Sequence, residues 1–118
     1  MVKYWINRFS HPIRGFLYAL RHDFAVQFEV IVLGVIGLPA AYFVFGPFSA
    51  PEMLLLIFCW FFIVGAELQN SAIETALDRL HPELHPEIGR SKDLAAAAVV
   101  WAFVFGLVSF GFVVSGAV

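Results

Sequence analysis

Three apolar runs, each long enough to cross a bilayer, leave this chain few folds to choose from. A helix rises about 1.5 Å per residue, so a hydrocarbon core of about 30 Å takes roughly 20 apolar residues to span. The first run extends from about Phe24 to Phe45 and ends at Gly46-Pro47. The second opens near Pro51-Glu52, is apolar from Met53 to Ala66, and keeps a helical pattern to Leu80 before Pro82 stops it. The third is expected over about 93–116, with no charged residue after Asp93. Its Ala95–Ala98 run is expected to let neighbouring helices approach closely. The expected fold is therefore all-α integral membrane: three transmembrane helices (about 24–45, 52–80 and 93–116) in a single domain, 1–118. Composition agrees, because a chain of 118 residues that is 61% hydrophobic and 14% charged carries more apolar surface than a small soluble domain can bury. Cys59 is the only cysteine. That excludes a disulfide framework and a thiolate metal cluster, and its place between Phe58 and Trp60 reads as packing.

The net charge of −2 says little taken whole, but its distribution orients the chain. Lys3, Arg8, Arg14 and Arg21 precede the first run, and Arg79, Arg90 and Lys92 lie between the second and third. The connection between the first two runs holds only Glu52. Basic residues stay cytoplasmic, so the N-terminus and the Arg79–Lys92 loop are expected in the cytoplasm and the C-terminus outside. Residues 1–22 read as an amphipathic interfacial segment. Trp5, Ile6, Phe9, Ile13, Phe16, Leu17 and Leu20 are interleaved with the basic residues, as in a helix lying at headgroup level. Pro12 is expected to break that helix. Because this long amphipathic stretch precedes the first apolar run, no cleaved signal peptide is expected.

The chemistry is concentrated on the second helix. At about 100° per residue, Glu67, Asn70, Ser71, Glu74 and Asp78 fall on one face. The apolar part, Met53–Ala66, covers only about 21 Å, which places Glu67 and Asn70 at the cytoplasmic edge of the hydrocarbon. A stripe of carboxylates there is costly and self-repelling, so something must offset it: a cation, a proton or a basic partner. Asp23 and Glu29 sit at the start of the first helix, at an expected depth near that of Glu74. A carboxylate from each of two helices suits Mg²⁺, which binds through one or two carboxylates plus substrate phosphates. Asp23 also reads as an N-terminal cap. The loop His81-Pro-Glu83-Leu-His85-Pro-Glu87 is expected to be a structured turn, and its prolines and spacing do not suit zinc. Arg90, Lys92 and the third helix's N-terminus form a candidate phosphate site.

The pattern Glu67-x-x-Asn70-Ser71-Ala72-Ile73-Glu74-x-x-x-Asp78, followed by a short loop with His85, then Lys92-Asp93 and an Ala-rich helix, resembles the prokaryotic diacylglycerol kinases and the related undecaprenol kinases. The resemblance runs from about Gly15 onward. It implies phosphorylation of a lipid hydroxyl with ATP and Mg²⁺, diacylglycerol being the first expectation and undecaprenol the alternative. It implies a homotrimer with shared active sites in a bacterial inner membrane. Carried over, Glu67 corresponds to the general base and Asn70 and Ser71 to substrate-orienting residues. Glu74 and Asp23 correspond to metal ligands that also border the nucleotide, Asp23 standing where the family usually has glutamate. Glu83, His85, Lys92 and Asp93 correspond to nucleotide contacts. There is no Walker A pattern or protein-kinase Gly-rich loop, so ATP use is implied by the resemblance alone. No nucleic-acid partner is expected. A reading of another class is a non-catalytic small membrane protein that binds or relays cations. Carriers place such groups near the midplane between repeats, whereas here they cluster at one interface.

Overall fold

The structure is a computed structural model in which residues 1–116 are described, and it is all-α among them. Helix α1 (Val2–His22) is followed by Asp23 in an extended conformation, φ −109° and ψ 110°. The first span, Phe24–Phe45, is built from three pieces: α2 (Phe24–Gln27), a π-helical segment (Phe28–Gly37) and α3 (Leu38–Phe45). Helix α4 (Ala50–Leu80) and helix α5 (Pro86–Ser115) follow. All three spans are long and apolar enough to cross a membrane.

Helix α1 runs unbroken through Pro12, contrary to the expected break. An interior proline removes one backbone bond and costs about 3 kcal/mol. Here a single apolar face continues on both sides of it, through Phe9, Ile13 and Phe16. That face is exposed, only Ala19 of α1 being buried. The protein measures 48 × 44 × 23 Å. Helices packed side by side about 10 Å apart account for only part of the second dimension, and α1 projecting from the first span supplies the rest. The side chain of Gln27 donates to the Leu20 carbonyl (3.0 Å) and braces the corner at Asp23.

The second helix begins slightly earlier than expected because Ser49 and Glu52 form a reciprocal capping box. Ser49 N–H donates to Glu52 Oε2 (2.7 Å) and Glu52 N–H to Ser49 Oγ (3.4 Å). That pairing accounts for the one charge in this connection. The third helix begins at Pro86, not near Asp93. His85 caps it, its Nδ1 accepting from Glu87 N–H (3.2 Å). Proline at the first helical position and an acidic residue beside it are start signals, so the prolines begin a helix where a longer turn was expected. The loop shrinks to residues 81–85.

Helices α4 and α5 form the main packed pair. Leu56, Cys59 and Ile63 are buried on α4, and Val99, Ala102, Ser109 and Val113 on α5. A Cβ added to Gly106 would come within 3.3 Å of Ile63 Cδ1, so a side chain there would press on Ile63. The close approach thus uses Ala102 and Gly106, whereas Ala96, Ala97 and Ala98 are exposed. Without a hydrophobic drive between helices in lipid, small residues at the contact and lipid-facing apolar side chains elsewhere are the expected division.

Candidate functional site

The polar stripe of α4 faces the first span. At 31 residues α4 is about 46 Å long. It therefore outreaches a bilayer core by about 15 Å, so its polar third reaches one edge of such a core and beyond. Glu67 and Asn70 are buried at 8% exposure each, while Glu74 and Asp78 are exposed.

Asp23 forms the corner from which the first span starts. One carboxylate oxygen accepts from the N–H groups of Ala25 (3.0 Å) and Val26 (3.3 Å), an N-cap that needs the extended backbone seen there. The other accepts from the Ser71 hydroxyl on α4. Asp23 is thus both the cap and a tie between two helices, one turn from Glu74.

Glu29 lies deeper. It is 3% exposed and its carboxyl lies against that of Glu67. The expectation that Glu29 shares the depth of Glu74 is therefore corrected: it reaches Glu67, two turns of α4 and about 10 Å further into the membrane. Each residue is carried there by geometry that helical periodicity does not contain. The indole N–H of Trp60 donates to the Glu29 carbonyl oxygen (2.9 Å), and the Trp60 ring occupies the space where a side chain at Gly34 would be. A side chain inserted into the hydrogen-bond ladder is one of the few causes of irregular helix. The ring of Pro39, one turn further on, would also clash with the Val35 carbonyl in regular α-geometry. The π-helical turns of Phe28–Gly37 lie across both constraints.

Asn70 links the carboxylates. Its amide nitrogen donates to Glu67 Oε1 and Glu74 Oε1, both at a long 3.5 Å. Asn70 Oδ1 and Glu29 Oε2 are buried acceptors with no partner. An unsatisfied buried acceptor costs about 1–3 kcal/mol, so each of these two oxygens favours a cation or hydroxyl donor that can reach it. The donor set of carboxylate and amide oxygens suits a hard divalent ion such as Mg²⁺. Among the described residues, no three His, Cys, Asp or Glu side chains converge tightly enough to hold a metal by themselves.

The residues matched to nucleotide contact lie elsewhere. Lys92 pairs with Asp78 across α4 and α5. Asp93 is exposed beside it. Glu83 is exposed in the 81–85 loop, and His85 is occupied as the cap of α5. Along α4, Asp78 lies about 16 Å from Glu67 and the loop at Leu80 about 20 Å. One chain therefore brings Asp23, Ser71, Glu29, Glu67, Asn70 and Glu74 together, sets Lys92 one helical turn beyond Glu74 through Asp78, and leaves Glu83 and His85 further off in the loop.

A family model described as prokaryotic diacylglycerol kinase matches residues 10–114. The diacylglycerol kinase of Haemophilus influenzae is 33% identical over 104 residues, covering 87% of this chain and 86% of that protein. That of Pseudomonas aeruginosa is 33% identical over 93 residues, 79% of this chain and 73% of its own. That of Escherichia coli K12 is 37% identical over 61 residues, 52% of this chain and 50% of its own.

Proposed function

The chain belongs to the prokaryotic diacylglycerol kinase family and is a lipid kinase, and we propose that it transfers the γ-phosphoryl group of ATP, with Mg²⁺, to the free hydroxyl of diacylglycerol, giving phosphatidic acid. Residues 1–118 act as one membrane domain in the bacterial inner membrane, with the N-terminus cytoplasmic and the C-terminus outside. The observation that supports this reading is the buried Glu67–Asn70 pair, which the proposed orientation puts at the cytoplasmic end of the hydrocarbon. A lipid hydroxyl sits at that depth and can reach it without leaving the bilayer.

Glu67 accepts the proton of the lipid hydroxyl as the new O–P bond forms and the bond from the γ-phosphorus to ADP breaks. Asn70 holds the Glu67 and Glu74 carboxylates in register through its amide hydrogens, and Ser71 fixes Asp23. Glu74 and Asp23 would hold Mg²⁺, with spare acceptor positions on Asp23 beyond those used by Ser71 and the backbone. Held there, it would supply neutralisation of phosphate charge, which with positioning is most of what phosphoryl transfer requires. Lys92, Asp93, Glu83 and His85 receive the nucleotide. In a single chain they stand apart from Glu67, and a homotrimer in which one protomer's loop end serves its neighbour's carboxylates would bring the two halves together.

The test is transfer of labelled γ-phosphate from ATP by detergent-purified protein with Mg²⁺, using diacylglycerol and undecaprenol in parallel. Labelled phosphatidic acid, absent with Glu67→Gln, is the expected result. Label only in the polyprenol would replace the substrate. Cation flux in liposomes without labelled lipid from either acceptor would replace the reading with the non-catalytic one.

A further inference from the structure

The Trp60–Gly34 contact lies outside the set of residues assigned to the reaction, yet it leads directly to Glu67. Trp60 belongs to the apolar part of α4, two turns deeper than Glu67. Its indole N–H is spent on a backbone carbonyl that regular helix would already satisfy, that of Glu29 (2.9 Å). Its ring fits only because residue 34 has no side chain; a Cβ there would overlap the indole atoms. Gly34 is itself buried, midway along the π-helical segment. One turn nearer the cytoplasm, the same segment presents the Glu29 side chain, 3% exposed and directed at Glu67 with one oxygen unpartnered. The groups facing Glu67 are Glu29 and Asp23 from the first span and Asn70 and Glu74 from α4. Of these, Glu29 is held in place through its backbone by a side chain of the other helix.

The geometry points to Trp60 and Gly34 as a wedge that positions the base. By fixing the wide helical turn at Glu29, the wedge sets Glu29 against Glu67 and so sets where the Glu67 carboxylate stands relative to the lipid hydroxyl. Glu29 and Trp60 are positioning residues, and neither touches the phosphoryl group. This rests on Glu67 being the base. Displacements near 1 Å at a reacting centre cost on the order of a hundredfold in rate, so a contact that controls this turn is expected to act on turnover while leaving nucleotide binding alone.

The test compares kcat and KM in Trp60→Phe, Glu29→Gln, their double variant and Glu67→Gln, all in detergent with diacylglycerol and ATP·Mg²⁺. Trp60→Phe keeps an aromatic ring and removes only the donor. It is expected to lower kcat about tenfold with KM for ATP unchanged. The double variant is expected to be no slower than Glu29→Gln, because two residues acting through one contact are not additive. Gly34→Ala is expected to be slower than the parent, and Gly34→Ala with Trp60→Leu to recover to the level of Trp60→Leu alone. Should Gly34→Ala fail to fold, the Trp60→Phe and Glu29→Gln cycle decides by itself. Full activity in Trp60→Phe, or fully additive losses in the double variant, overturns the wedge while inactive Glu67→Gln leaves the base in place. An active Glu67→Gln overturns the base assignment itself.

Discussion

Two groups of charged residues share helix α4, and they solve opposite problems. Around Glu67, four carboxylates (Asp23, Glu29, Glu67 and Glu74) gather with no basic side chain hydrogen-bonded to any of them among the described residues, and two buried acceptors lack a partner. Around Asp78, one carboxylate meets one ammonium group, Lys92, and both are substantially solvated, at 64% and 34% exposure. The second group is neutral by itself, and as an exposed pair it adds little stability. The first gains from a cation or a hydroxyl proton arriving from outside. The lesson is that a carboxylate's significance on this helix follows from its depth and company, since residues 67 and 78 are on the same face of the same helix.

Predictions that separate the two groups can be ordered by size. Glu67→Gln keeps the side chain's shape and removes the proposed base, and it should lower lipid phosphorylation by about a hundredfold or more while the protein still purifies folded and elutes as the parent does. Parent-like activity would dissolve the distinction between the two ends. Glu74→Gln should raise the Mg²⁺ concentration for half-maximal activity by about tenfold or more, read from a Mg²⁺ titration at saturating ATP; an unchanged titration would remove Glu74 from the metal site. Lys92→Ala should raise KM for ATP about tenfold through loss of a charged contact, with kcat at saturating ATP nearly preserved. An effect confined to kcat would instead tie Lys92 to the chemistry. Asp78→Asn should change stability by less than about 1 kcal/mol in denaturant unfolding; a larger loss would make the pair structural. The smallest effect is expected for Ser71→Ala, about fivefold in kcat from release of Asp23, with Ser71→Thr close to the parent. Equal losses in Ala and Thr variants would show that the hydroxyl is not what Asp23 needs.

Much of this arrangement is legible in the chain. Length and polarity alone place the three spans, because lipid tolerates only long apolar helices with their backbone bonds satisfied internally. The stripe Glu67–Asn70–Ser71–Glu74 follows from the helical period, and its depth from the count of apolar residues before it. Asp23 serves as the N-cap that its position suggests. The start of α5 is also written in His85-Pro86-Glu87, because at a first helical position the missing N–H costs nothing, but the same prolines suit a structured turn equally well.

What the sequence by itself determined is therefore the set of helices, their membrane character and the face on which the carboxylates lie, since these depend on neighbours within a few residues. Tertiary structure decided which carboxylates meet. Glu29 reaches Glu67 because the first span is π-helical where Trp60, from another helix, enters beside Gly34 and takes the Glu29 carbonyl. Lys92 meets Asp78 because α4 and α5 pack closely along Ala102 and Gly106. Both depend on contacts between residues far apart in sequence, whose distance is set by packing, and no local period encodes it.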